Sequence, residues 1–208
     1  MTEDEAKTWL LERDVSRETY ADLARFSALL QEENKVQNLI ANSTMDRIWS
    51  RHIVDSAQLL DLAPQQGTWL DLGSGAGFPG LIAAMVGGRP VTLVESRAKR
   101  ISFLRRAATE LAIAHRVNIF GGRVEAMDHA PFSVISARAF APLDRLFGLA
   151  HRLSRPGTVW LLPKGRSAAQ ELAAAKGSWQ GAFRIVTSIT DPDSAIIVAS
   201  NVCPRKRR

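Results

Sequence analysis

A chain of 208 residues, 46% of them apolar, is long enough for one sizeable hydrophobic core with a small appendage. Its single cysteine, Cys203, excludes a disulfide framework and a cysteine-based metal cluster; four scattered histidines offer no metal-ligand spacing, and no apolar run is long enough to span a bilayer. The formal charge of +6 is unevenly spread: residues 1–33 hold four basic and nine acidic side chains, residues 61–208 hold 20 basic and 10 acidic, and so basic a body draws a polyanion, nucleic acid foremost.

The start, MTEDEAKTWLLERD, is acidic and lacks the basic-then-apolar pattern of a secretion signal, so a cytoplasmic protein is expected, with no membrane and no metal partner. The first sixty residues read as helical: Tyr20, Leu23, Phe26, Leu30, Val36 and Ile40 recur at three-to-four spacing, with gaps. Ser43 and Asp46 have the form of a capping box, with Asp in place of Glu or Gln, which predicts a helix from about Thr44 to Leu60. On that helix His52 and Asp55 share a face with Ile48 and Leu59, either docking a helical cap or shaping a substrate pocket, and Arg47 and Arg51 stand four apart, either touching phosphates or, more commonly for such a residue, forming a solvated face. The stretch 61-DLAPQQG-67 is a turn.

From Thr68 strand-like runs alternate with helical ones. The strands are 68–73, 91–95, 116–120, 132–138 and 157–163, with helices near 79–86, 97–112, 123–128, 142–153 and 167–176 between or after them. Two more β-rich runs, 183–189 and 195–202, close the chain across the turn DPDS. This predicts an α/β fold, a mostly parallel seven-stranded sheet with helices on both faces. A helical cap over 1–66 precedes a sheet domain over 67–203, and a basic tail, 204-PRKRR-208, ends the chain.

The loop after the first strand, 71-DLGSGAGFPG-80, admits two fingerprints. Asp71, Gly73, Gly75 and Gly77 form the Asp-x-Gly-x-Gly-x-Gly motif of Rossmann-like S-adenosylmethionine-dependent methyltransferases; Gly75, Gly77 and Gly80 satisfy the dinucleotide motif. Both call for an acid at the end of the second strand to hold ribose hydroxyls, and Glu95 stands there. Three features favour S-adenosylmethionine. Asp71 lies inside the strand, the strand reaches Gly73 two residues before Gly75, and the segment after the fifth strand reads as two closing strands instead of a second half-sheet.

Further segments narrow the choice: 38-NLIANSTMDRIWSRHIVDS-56, 95-ESRAKRISFLRR-106, 121-GGRVEAM-127, 133-SVISARAFAPL-143 and 161-LLPKG-165. In this order and spacing, with the glycine loop, the chain resembles the RsmG (GidB) family from about residue 20 onward. That family consists of bacterial class I methyltransferases that modify N7 of one guanine in 16S ribosomal RNA. The chain departs from the pattern at Ile40, where threonine is common, and by an apparent extra residue at Ser136-Ala137-Arg138. The resemblance implies that Gly73 and Phe78 contact S-adenosylmethionine, that Glu95 takes the ribose, that Val124 and Glu125 hold the adenine region, and that Arg138 lines the cofactor pocket.

Guanine N7 carries a free lone pair, so its methylation needs in-line positioning and no strong general base. The residues agree. The place where amino-group methyltransferases carry Asn/Asp-Pro-Pro-Tyr/Phe reads Ala137-Arg138-Ala139-Phe140, and Cys203 lies far along the chain from it, read as a small apolar filler. No catalytic residue is named from sequence. Substrate contacts are expected from Arg51, His52, Asp55, Arg97, Lys164 and Arg166, with Lys99, Arg100, Arg105 and Arg106 crowding one helix face toward RNA, as 16S rRNA alone, in the 30S subunit or in an assembly intermediate. Two other readings stay open: a methyltransferase of a small molecule or protein, and an RNA-binding protein that keeps the cofactor loop without catalysis.

Overall fold

The computed structural model describes residues 1–13, 15–128 and 130–205. Most of the expected basic tail, Lys206 to Arg208, lies outside the described residues.

Helix α1 (Glu3–Leu11) opens on a capping box in which Thr2 Oγ1 accepts from the Glu5 N–H and the Glu5 carboxylate accepts from the Thr2 N–H. Helix α2 (Arg17–Asn34) starts at Ser16, whose hydroxyl accepts from the Thr19 N–H, and buries Leu23, Phe26 and Leu30 along one face. The apolar periodicity stops there. Val36 is 75% exposed, and Ile40 is buried in a loop instead of a helix. Asn34 holds that loop, its side-chain oxygen accepting from the Leu39 and Ile40 N–H groups.

The helix expected over about 44–60 is a succession of short turns. A 3-10 turn over Asn42–Arg47 leads to a π-helical turn over Trp49–Val54, a single α-turn α3 (Asp55–Ala57) and another 3-10 turn over Gln58–Leu62. Ser43 and Asp46 form no capping box; the run starts after Ala41, with no side-chain cap. The cause is a contact from far away in the chain. The Glu3 carboxylate accepts from the Trp49 and Ser50 N–H groups at 3.0 and 2.7 Å, drawing off two donors that a regular α-helix uses internally.

The sheet is as expected: seven strands in the order β3-β2-β1-β4-β5-β7-β6. Strands β1 (Trp69–Leu72), β2 (Val91–Glu95), β3 (Val117–Gly121), β4 (Val134–Ala137) and β5 (Val159–Lys164) run parallel, and β7 (Ala195–Pro204) is antiparallel to both β5 and β6 (Trp179–Thr187). Strand β6 begins four residues before the predicted run. Cys203 is half-buried with its sulfur accepting from Gln180 Nε2, so it is a polar-paired surface residue and not an apolar filler.

Two apolar layers cover the sheet. The cap helices pack with α4 (Gly80–Val86) and α5 (Ala98–Glu110) on one face; α6 (Leu143–Ala150) and α7 (Ala168–Ala175) cover the other. Along β1 the pleat sends Trp69 to the first layer and Leu70 and Leu72 to the second, which turns Asp71 toward the cap. Strand order reverses between β1 and β4, and that switch point places the loops after Leu72 and Ala137 side by side. No helix among the described residues is long and apolar enough to cross a membrane.

Candidate active site

Two cavities open at the carboxyl ends of the strands. The first, about 400 Å³, lies over β1 and β2 and is lined by Gly73, Glu95, Ser96, Arg97, Arg100, Gly122, Val124 and Glu125. The glycine loop bends back because Gly73, Gly75 and Gly77 all take positive φ, a conformation that costs an L-residue about 1–2 kcal/mol. The Gly73 and Ser74 N–H groups donate to the Val94 carbonyl, pinning the loop to β2. The Glu95 carboxylate accepts from the N–H groups of Gly75, Ser96 and Arg97 at 3.1, 2.7 and 2.9 Å. About four lone-pair sites serve a carboxylate, so one remains open toward the cavity. A Cβ on Gly73 would stand 2.5 Å from the Phe140 ring, so only glycine leaves passage there.

The second cavity, about 610 Å³, is walled by the cap (Thr44, Arg51, His52, Asp55), the loop after β4 (Arg138 to Pro142), the end of β5 (Pro163 to Gly165), Glu171 of α7, and the β6–β7 hairpin (Ser188, Ser194). Ala139, Phe140 and Ala141 line both cavities. Ala139 sits at φ 51°, a left-handed turn that places Phe140 between them.

One polar cluster ties this second site together. Arg138 contacts His52 Nδ1 at 3.0 Å, donates to the Arg51 carbonyl at 3.3 Å, pairs with Asp55 at 3.5 Å and lies over the Phe78 ring at 5.0 Å. Because the guanidinium only donates, His52 Nδ1 accepts, and Nε2 carries the proton shared with Thr44 Oγ1 at 2.9 Å. Burial, with the Arg138 and Arg51 charges beside it, lowers the His52 pKa to about 3, so the ring is neutral near pH 7. The hairpin tip latches on through Arg51–Asp191 at 2.6 Å and through Gln58, which donates to Ser188 and accepts from the Ile189 N–H.

Asp71 lies wholly buried beneath the glycine loop. It accepts from the Ser136 hydroxyl at 2.7 Å and from the Gly80 N–H at 3.2 Å, and so fastens the start of α4 to β1 and β4. Burial raises its pKa from 3.8 to about 6, against the opposing pull of those hydrogen bonds. A folded-state pKa above the unfolded value means that stability is lost as pH rises between the two. Wild type will therefore lose unfolding free energy relative to Asp71→Asn between pH 3.8 and about 6, measured by denaturant titration across that window. A difference that stays flat with pH contradicts this.

Half of the basic residues on α5 have structural partners. Arg106 pairs with Glu33 of α2 at 2.6 Å, and Arg100 faces Glu95 at 3.8 Å. Lys99 and Arg105 are exposed on the outer face. Changing both to glutamine will flatten the dependence of RNA affinity on salt by about 0.7–0.9 logarithmic units for each phosphate that is no longer neutralised. Filter binding over a salt series checks this, and an unaltered slope takes α5 out of the RNA interface.

Of the expected cofactor residues, Gly73, Glu95, Val124 and Glu125 line the first cavity. Asp71, Gly75 and Gly77 shape it from beneath; the Leu81 side chain fills the space where a Gly77 Cβ would go. Phe78 turns inward, 3% exposed, stacked on His52 at 5.2 Å and tilted against Phe26 at 5.3 Å, so it braces the loop from the cap side. Arg138 faces the second cavity, held there by His52 and Asp55. Among the expected substrate residues, Arg51, His52, Asp55 and Lys164 line the second cavity, and Arg97 lines the first instead. Arg166 reaches neither: it is 82% exposed and paired with Asp193. The sequence reading missed Glu171, Ser188 and the partition role of Phe140. Only the last carried a signal, as an aromatic in the loop after β4.

A sheet whose β7 inserts antiparallel between β5 and β6, with a glycine loop after β1 and an acid closing β2, is a class I methyltransferase architecture. The O-methyltransferase of Bacillus cereus, solved in complex with SAH, shares the fold at TM-score 0.58 and 17% identity, over 85% of this chain and 91% of that one. The profile of the rRNA small subunit methyltransferase G family (GidB) matches residues 19–194. Relatives named ribosomal RNA small subunit methyltransferase G include one from Rhizorhabdus wittichii, 58% identical over 99% of this chain and 95% of its own length. Another, from Zymomonas mobilis, is 50% identical over 100% and 98%. The chain belongs to the rRNA small subunit methyltransferase G family.

Proposed function

We propose that this chain transfers a methyl group from S-adenosylmethionine to N7 of a guanine in 16S rRNA, in the cytoplasm, on RNA within the 30S subunit or an assembly intermediate. The observation that supports it most is the pair of cavities, about 400 and 610 Å³, that share Ala139, Phe140 and Ala141, with the Glu95 carboxylate lining the first. When bound, S-adenosylmethionine supplies an electrophilic methyl on a cationic sulfur. Gly73 leaves room for its chain, Glu95 takes the ribose, and the segment at Val124 and Glu125 borders the adenine. That segment is fixed by Arg152, which donates to both carbonyls at 2.7 and 3.1 Å.

The second cavity orients the acceptor. Guanine N7 attacks with its own lone pair, and no proton has to leave. The residues fit a reaction without a general base: His52 is neutral with both nitrogens engaged, and Asp55 is held by Gln58, Ser188, Thr190 and Arg138. Rate enhancement then rests on alignment of N7 with the methyl group.

The test is tritiated-methyl transfer from S-adenosylmethionine to unmethylated 30S subunits, free 16S RNA, soluble protein and small metabolites in parallel. Label in 16S RNA supports the proposal. Label in protein or metabolites alone, or none in any fraction from protein that binds the cofactor, replaces it with one of the other two readings.

A further inference from the structure

The second cavity holds two carboxylates in different states. Asp55 is crowded: its Oδ1 accepts from Gln58 at 3.0 Å, Thr190 at 2.9 Å and Ser188 at 3.4 Å, and its Oδ2 faces the Arg138 cation at 3.5 Å. Glu171 is not. One oxygen accepts from Lys164 Nζ at 2.7 Å and the other from Ser167 Oγ at 3.2 Å, which leaves about two of its four lone-pair sites open to the cavity. Lys164 is 11% exposed and donates to Glu171 and to the Ala141 carbonyl at 3.1 Å, so one of its three protons is still free to donate. A donor thus stands beside a double acceptor, on the wall that continues into the Phe140 partition.

The Watson–Crick edge of guanine has the complementary order: the O6 acceptor, then the N1–H and N2–H donors. Adenine reverses it, setting an amino group against Lys164 and a lone pair against Glu171. We infer that Lys164 and Glu171 read the Watson–Crick edge of the target guanine, Lys164 donating to O6 and Glu171 accepting from N1–H and N2–H. This rests on the guanine-N7 reading given above and supplies its base specificity. With that edge held at Glu171, N7 lies beyond O6 and stays free of both side chains. An edge read in this way is unpaired, so the base enters either from a single-stranded segment or extruded from a helix.

The test compares 30S subunits reconstituted with 16S RNA carrying guanine or inosine at the target position. Inosine keeps N7, O6 and N1–H and lacks only the N2 amino group. For wild type, kcat/KM will fall about tenfold or more on inosine, the cost of one missing hydrogen bond to a charged acceptor. In Glu171→Gln, transfer to guanine will fall and the guanine-to-inosine ratio will approach one. S-adenosylhomocysteine affinity will stay at the wild-type value, because Glu171 lies outside the cofactor cleft. Equal wild-type rates on guanine and inosine overturn the inference without any variant, as does an undiminished inosine penalty in Glu171→Gln. Absence of 7-methylguanosine from wild type on guanine RNA removes the N7 reading, and this inference with it.

Discussion

Gly73→Arg will abolish cofactor binding and leave the sheet folded. Gly73 sits at φ 68°, and a Cβ there would stand 2.5 Å from the Phe140 ring. An arginine incurs the left-handed backbone cost of about 1–2 kcal/mol and then fills the approach between the loop after β1 and the loop after β4. The surrounding sheet registers do not involve its side chain, so the far-UV spectrum will match wild type. Calorimetry with S-adenosylhomocysteine will show an affinity loss of at least about a hundredfold. Unchanged affinity would move the cofactor away from the 400 Å³ cleft.

Arg138→Ala will separate two accounts of that residue. The family resemblance gives Arg138 to the cofactor pocket; the geometry places it in the second cavity, tied to His52, Arg51 and Asp55. Its loss strips donors from a buried imidazole and a mostly buried carboxylate, a cost of about 3 kcal/mol. For a chain of this size that lowers Tm by roughly 6–12 °C. Methyl transfer will fall at least about a hundredfold, while S-adenosylhomocysteine affinity changes by less than about threefold. Arg138→Lys will not rescue transfer, because an ammonium cannot span His52 and Asp55 as the fork does. A cofactor affinity that falls in step with activity would return Arg138 to the cofactor pocket.

The sheet half of the molecule was largely legible in the sequence, because its signals are local. The Asp71-to-Gly80 loop, Glu95 and the strand–helix alternation each depend on neighbours in the chain, and the sheet places them as expected. The segment over 42–62 was not legible, because its path is set by Glu3 reaching Trp49 and Ser50 from 46 and 47 residues away. The second cavity was partly legible. His52, Asp55 and Lys164 stood out as charged or titratable residues near the motifs, whereas Ser188 and Thr190 join Asp55 across 133 and 135 residues, a contact only the β6–β7 hairpin creates. Glu171 carries no local signal; its place comes from Lys164, seven residues earlier, at the end of β5.

Methylation at N7 of one guanine leaves a chemical mark that distinguishes that position from all others. N7-methylation leaves a cationic imidazole ring that borohydride reduces, and aniline then cuts the strand at that nucleotide. The 16S RNA will be recovered from 30S subunits incubated with the protein and S-adenosylmethionine, treated in this way and read by primer extension. One new stop, at a single guanosine and absent without cofactor, is the predicted result. Methyl label retained in the RNA with no cleavage would place the methyl group on another atom and contradict methylation at N7.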